Sequence, residues 1–197
     1  DGRVFHPGEN EGPATPGAVA AIAVPEGTRR ILFVGRYVEK KGMAVLRRLA
    51  SDRPDLMFFL VGSGPVRPRE WGLPNVHDLG PRNLPEVADL YRWADLLLLP
   101  SVGEGYPLVI QEAMACGLPV ICGEPSNRAD PGAAGWLKGV RIDLADAEGC
   151  ARRCAEAIDR LAFPASERAA MARYAAGQYD WRAMARALLD LAGASRE

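Results

Sequence analysis

The chain has 197 residues, 48% of them hydrophobic and 25% charged, which is the balance of a globular domain with a full-sized core. Its 24 basic and 25 acidic residues leave a formal net charge of −1, so no global charge marks a nucleic-acid partner and any anion site must come from a local cluster. No apolar run approaches the roughly eighteen residues of a membrane span, and four cysteines without CxxC spacing and two histidines make neither a metal motif nor a catalytic triad. Cys116, Cys122, Cys150 and Cys154 are expected as small buried hydrophobes, His6 and His77 are assigned no chemistry, and no metal is expected. The start, DGRVFHPG, has neither an initiator Met nor a signal-peptide pattern. It reads as a soluble, cytoplasmic piece of a longer chain.

Residues 1–29 read as a connector, because PGENEGPATPGAVAAIAVPEGTR is rich in Pro, Gly and Ala and holds at most one short helix around Gly17 to Val24. Residues 30–197 form the domain. Strand-length apolar runs alternate there with helical patterns: a strand at 31–35 (ILFVG), a helix at 41–52, strands at 56–62 (LMFFLVG) and 76–80 (VHDLG), and a helix at 84–94. A strand at 95–100 (DLLLLP), a helix at 107–116 and a strand at 119–123 (PVICG) follow. One more strand is expected at 134–137, then a tail over 146–192 in three helical segments. Strands that are apolar throughout belong to a parallel sheet buried on both faces. The expected fold is therefore a Rossmann-like, doubly wound α/β sheet of about six strands with a helical C-terminal tail.

Such sheets bind ligands beyond the carboxyl ends of their strands, so the loops there carry the functional question. The dinucleotide pattern GxGxxG fails, since GSGPVR places Arg67 at the third glycine, and no P-loop is present. A receiver-type phosphoacceptor needs acids at the first strand, where RRILFVGR has arginines.

Four loops remain. GRYVEKKG (35–42) places Gly35 and Arg36 after the first strand and Lys40 and Lys41 at the start of the next helix. Positive charge at a helix start costs about a few tenths of a kcal/mol unless an anion lies nearby; the plainer reading is a solvated basic turn partly neutralised by Glu39. LVGSGPVRP (60–68) is a glycine-punctuated turn that allows close backbone approach. In LGPRNLPE (79–86), Asn83 and Glu86 match a capping box, which leaves Gly80 and Arg82 as free loop elements. In PSVGEGYPLVIQE (100–112), Ser101 and Glu104 also match a capping box, but Pro107 favours a helix that starts there and leaves Glu104 in the approach loop. Glu112 then lies about 7.5 Å along the helix. Its helical neighbours Leu108, Val109, Ala115 and Cys116 are apolar, so this carboxylate needs a bound ligand, a sequence-distant arginine or an exposed face.

Together the loops form a mould. A helix N-terminus at Pro107 suits a phosphate, Arg36 and Lys41 share its charge, and carboxylates about 10 Å apart flank it. A nucleotide-diphosphate sugar, with hydroxyls at both ends and a diphosphate between them, matches this arrangement.

The stretch EGYPLVIQEAMACGLPVI resembles the E-x7-E signature of family-4 retaining glycosyltransferases of the GT-B fold, whose pattern is close to EGFGLVxLEAMAxGxPVV. ILFVGRYVEKKGMAVLRRLA, FFLVGSGP, ADLLLLPS and the opening DGRVF are similar to further segments of the family, so the resemblance covers residues 1 to 192. It implies a C-terminal, donor-binding domain of a hexosyltransferase-type enzyme, inactive by itself. By the family's pattern Glu112 holds the ribose and Glu104 the donor sugar. Arg36 and Lys41 bind the diphosphate, with Gly35 and the backbone at Tyr106, Pro107 and Leu108 alongside, while Gly80 and Arg82 lie beside the base. The donor would be a UDP-, GDP- or ADP-sugar, used without a cofactor or a metal. The implied partners are that donor and the protein's own N-terminal domain, with no nucleic acid and with peripheral membrane association of the full protein left open. Two segments depart from the pattern: Tyr106-Pro107 stands for Phe-Gly, and CGEPSNRAD (122–130) for a Gly-Gly loop. The alternative function is a nucleotide-binding or interaction module without catalysis.

Overall fold

The computed structural model describes residues 2–8 and 15–180, together with Ala185 and Leu189. Six strands form one sheet: β1 (Arg29–Val34), β2 (Leu56–Val61), β3 (Val76–Gly80), β4 (Leu96–Leu99), β5 (Val120–Gly123) and β6 (Leu137–Val140). All neighbours pair in parallel, in the order β3-β2-β1-β4-β5-β6. This is the doubly wound order, and it reverses direction between β1 and β4, the switch point at which such sheets open a ligand crevice. Every residue of β2, β4 and β5 is buried, as the all-apolar runs require.

Helices α1 (Met43–Asp52), α2 (Leu84–Trp93), α3 (Leu108–Ala115), α4 (Glu124–Arg128), α5 (Ala147–Asp159) and α6 (Ala165–Gln178) flank the sheet. The capping box of α2 is present in full: the Glu86 amide donates to Asn83 Oδ1 at 3.0 Å and the Asn83 amide to Glu86 Oε2 at 3.1 Å. Asp146 caps α5 by accepting from the Gly149 amide at 2.8 Å.

Four expectations shift. The strand expected at 134–137 runs Leu137–Val140, because residues 130–136 form a turn held by Asp130, which accepts from the Gly132 amide at 2.9 Å. The segment 122–130 contains α4, not only a loop. Lys40 and Lys41 close a short 3-10 turn (Glu39–Lys41), and α1 begins after it at Met43. Pro107 precedes α3 as its extended N-cap residue rather than starting it. The third tail segment, apart from Ala185 and Leu189, lies outside the described residues. The four cysteines are free and buried, and burial pushes the thiols of Cys116, Cys122 and Cys154 up to about 12, which fits packing residues. Parts of the leading segment dock on the domain, since Phe5 and Val19 are in the core and Phe5 packs edge-on against Tyr91 at 6.0 Å.

Glycines set how closely the strand-end loops meet. Gly42 has φ +76°, and a Cβ there would lie 2.0 Å from the Pro100 carbonyl oxygen. The loop after β1 therefore touches the loop after β4 backbone to backbone, and the Val102 amide donates to the Lys40 carbonyl at 2.9 Å. On the other side a Cβ on Gly62 would lie 1.9 Å from the Gly35 carbonyl, so the loop after β2 also presses on the loop after β1. Gly42→Ala combines a left-handed backbone with a backbone clash, and is expected to cost about 2–4 kcal/mol, read as a lower urea midpoint at an unchanged m-value. A loss under about 0.5 kcal/mol would show that the two loops are not in contact.

Candidate functional site

The loop after β1 is fixed before its side chains are considered. Gly35 and Tyr37 donate their amides to Val61 and Ser63, both at 2.9 Å, which ties the loop to β2. The buried Tyr37 hydroxyl then donates to Asp78 Oδ1 at 3.0 Å, and Asp78 also accepts from the Gly80 amide at 3.1 Å and from Arg69 at 3.1 Å. Asp78 thus joins the ends of β1 and β3. Burial and the adjacent Asp78 carboxylate push the Tyr37 phenol far up, so it stays a neutral donor. Beside these residues a cleft of about 90 Å³ is lined by Tyr37, Gly62, Gly64, Gly80 and Pro81.

Arg36, next in this loop, is exposed and makes no ion pair with a described residue. Lys41 is mostly buried and ion-paired with Glu104, whose side chain is 13% exposed. Glu104 also accepts from the Ser101 hydroxyl at 3.2 Å, so the S-x-x-E match marks a real contact within the approach loop and not a helix cap. The contact of Gly42 with Pro100 places Lys41 opposite Glu104 across the switch point.

At the start of α3 no side chain caps the helix and no acid occupies the first turn. The amides of Leu108 and Val109 find no acceptor among the described residues, leaving a positive dipole end beside the Lys41–Glu104 pair. Leu108 is 54% exposed, which keeps this end open.

Glu112, on α3, meets neither an arginine nor bulk solvent alone. The Tyr91 hydroxyl, on α2 and almost fully buried, donates to Glu112 Oε2 at 3.1 Å. Burial raises the Glu112 carboxyl above its ordinary value, and the phenol only partly offsets this. Its Oε1 accepts from no described residue. The phenol therefore holds one of the two carboxylate oxygens.

Gly80 and Arg82 part company. Gly80 borders the cleft next to the loop after β1, whereas Arg82 ion-pairs with Glu86 at 3.4 Å and faces a separate depression beside Gly17 and Asp89. Arg82 is therefore not a free loop element.

Tyr174, Tyr179 and Asp130 escaped the sequence reading, as did Tyr37, Asp78 and Tyr91. The Tyr106 hydroxyl lies 2.8 Å from that of Tyr179, which donates to Asp130; Tyr174 donates to the same carboxylate at 2.9 Å. Burial would raise the Asp130 carboxyl, but the phenols of Tyr179 and Tyr174 and the Gly132 amide outweigh it and hold the pKa low. The two segments that depart from the family pattern are thus bound to each other through Tyr179. The hydroxyl of Tyr106 in place of Phe was the one available signal. Among the described residues no group of His, Cys, Asp and Glu is placed to hold a metal ion, and no helix is long and apolar enough to cross a membrane.

Residues 28–161 match the family described as glycosyl transferases group 1. The chain belongs to this family. Over 206 residues it is 32% identical to a D-inositol 3-phosphate glycosyltransferase of Mycolicibacterium smegmatis, an alignment covering 94% of this chain and 46% of that protein. A sucrose-phosphate synthase of Thermosynechococcus elongatus superposes with a TM-score of 0.70 at 25% identity, over 97% of this chain and 49% of the other. HepE of Anabaena, solved in complex with UDP and glucose, superposes with a TM-score of 0.67 at 18% identity over 98% of this chain and 54% of its own, a likeness of fold. The chain spans about half the length of the curated relatives it matches. Its sheet is the Rossmann-like half of a GT-B fold, as expected.

Because the folded state raises the Glu112 carboxyl, the native protein holds that proton to higher pH than the unfolded chain does. Stability is then lost as pH rises through the carboxyl range, and the whole loss is present at neutral pH. Glu112→Gln keeps an acceptor for Tyr91 and removes the charge. It is expected to raise Tm at about pH 7 by about 2 °C or more, with the gap closing below about pH 4. A variant that melts lower than the wild type at both pH values would contradict the geometry.

Proposed function

We propose that this chain is the donor-binding half of a retaining glycosyltransferase of the family-4 type, which takes a sugar from a nucleotide-diphosphate sugar. The observation that carries the reading is the closure of the β1 and β4 loops at the switch point. It brings Lys41 against Glu104 ahead of the uncapped start of α3, and in this reading Arg36 and Glu112 face the same ligand.

In this reading the diphosphate lies at the amides of Leu108 and Val109, where the helix dipole and Arg36 meet its charge. Lys41 turns from Glu104 toward the phosphates. Glu104, released from Lys41 but still held by Ser101, accepts from hydroxyls of the donor sugar. Glu112 Oε1 accepts from the ribose while Tyr91 keeps the carboxylate in place. The base enters the cleft lined by Tyr37, Gly62 and Gly80, with Gly35 bordering the phosphates. As the acceptor hydroxyl bonds to the anomeric carbon and gives its proton to the leaving diphosphate oxygen, the breaking C–O bond sends its electron pair to that diphosphate, and Arg36, Lys41 and the helix amides stabilise the growing charge without a cofactor or metal. The binding of UDP and glucose by HepE supports a donor of this class. Its acceptor and further catalytic groups come from an N-terminal domain of the same cytoplasmic protein, so the present chain binds donor without transferring sugar.

Calorimetry with UDP, GDP and ADP is expected to show saturable binding of at least one. Lys41→Gln is expected to weaken that nucleotide and free pyrophosphate alike, about tenfold, whereas Glu112→Gln weakens only the nucleotide by about the same factor. No binding of any nucleotide to the folded protein would refute the reading. Equal losses for nucleotide and pyrophosphate in Glu112→Gln would remove that residue from the ribose.

A further inference from the structure

A second cleft among the described residues lies away from the switch point. About 790 Å³ in volume, it opens at the amino ends of β1, β4 and β5, where Arg29 and Arg30 begin β1, Asp95 precedes β4 and Pro119 precedes β5. At about 3.3 Å per residue, the six-residue β1 separates it from the donor loops by about 20 Å. Its lining combines apolar residues, Trp93, Leu161 and Phe163, with the basic residues Arg29, Arg30 and Arg168.

The charges do not balance within the cleft. Asp95 is committed to Arg30, which donates from its backbone amide at 2.7 Å, from Nε at 2.9 Å and from Nη2 at 2.7 Å. That guanidinium also sits 4.8 Å over the Trp93 ring. Arg29 donates to the Ile158 carbonyl. Arg168, in the first turn of α6, is half-buried in the same cleft, and its guanidinium makes no hydrogen bond or ion pair with a described residue. Burial and the like charge of Arg30 disfavour its protonated form, and Asp95 compensates only in part. A half-buried guanidinium with five donors and no protein acceptor keeps them open to water or to a ligand oxyanion in the cleft. Glu26, the other acid of the lining, is exposed.

We propose that this cleft is a second ligand site, for a small molecule that carries an oxyanion head, a phosphate or carboxylate, on an apolar ring or chain. The head bonds to Arg168 beside the Arg30–Asp95 pair, and the apolar body packs on Trp93, Leu161 and Phe163. Nothing in this assignment depends on the donor reading, since the two sites lie at opposite edges of the sheet.

The test uses the whole chain labelled with 15N, with the Trp93 indole N–H as the local reporter and inorganic phosphate and phenyl phosphate as probes, each against sodium chloride of equal ionic strength. Both are expected to move the Trp93 signal saturably, phosphate with a Kd on the order of millimolar and phenyl phosphate several-fold tighter. Arg168→Gln, which removes an unmet charge and should fold at least as well, is expected to weaken both about tenfold. Arg36→Gln, at the donor loops, is expected to leave the Trp93 response unchanged. No saturable movement with either probe, or the same response in Arg168→Gln, would overturn the site. Equal affinities for the two probes would overturn the role of the apolar wall. A response lost in Arg36→Gln would place the oxyanion at the donor loops instead.

Discussion

Everything at the switch point depends on the absence of a side chain at Gly42. Its backbone lies against the Pro100 carbonyl with no room for a methyl group, and that contact brings the ends of β1 and β4 together. Parallel neighbours in a doubly wound sheet would otherwise diverge at this point, because their crossover helices leave toward opposite faces. Once the loops touch, the rest follows from chain geometry. Val102 bonds to Lys40, Lys41 faces Glu104, and the extended Pro107 delivers the chain into α3 with its first amides directed to the same edge.

The site is expensive to keep. Lys41 and Glu104 are taken mostly out of water for one ion pair and the Ser101 hydrogen bond, the start of α3 goes uncapped, and Glu112 is held in surroundings that favour its protonated form. Each of these could be relieved by an ordinary substitution, a cap at residue 107 or a glutamine at 112. Such strain concentrates where a ligand completes the arrangement. The supporting residues are arranged in the opposite sense. Tyr91, Asp78 and Asp130 each have their hydrogen bonds met, and each fixes one loop: Tyr91 orients Glu112, Asp78 ties β3 to the loop after β1, and Asp130 holds Tyr106 through Tyr179.

The sheet and its order of elements were legible because a doubly buried parallel strand has one solution, an apolar run, and LMFFLV and LLLL offer no polar face for any other placement. Loops read less well for a physical reason. Whether Lys40 and Lys41 start a helix or close a turn depends on the Gly42–Pro100 contact, which joins residues 58 positions apart and leaves no local pattern. Glu112 was recognisable as a carboxylate in need of a partner, but Tyr91 was not, since a tyrosine on a helix reads as core until its hydroxyl is located. Arg82 looked free because its nearest acid, Glu86, was already explained by the capping box; a carboxylate has lone pairs for both. The 122–130 segment hid a short helix because Pro125 at its start and Gly123 before it read equally well as a loop.

The central claim is that one edge of the sheet, at the carboxyl ends of β1 and β4, is built around a diphosphate. A 15N correlation spectrum of the intact chain titrated with UDP, GDP and ADP tests it residue by residue. The account predicts that the nucleotide that binds moves the amides of Gly35, Arg36, Lys41, Leu108 and Val109 together, with a single Kd, and leaves those of β6 in place. Binding that shifts other residues and leaves the amides of Leu108 and Val109 unmoved would contradict it.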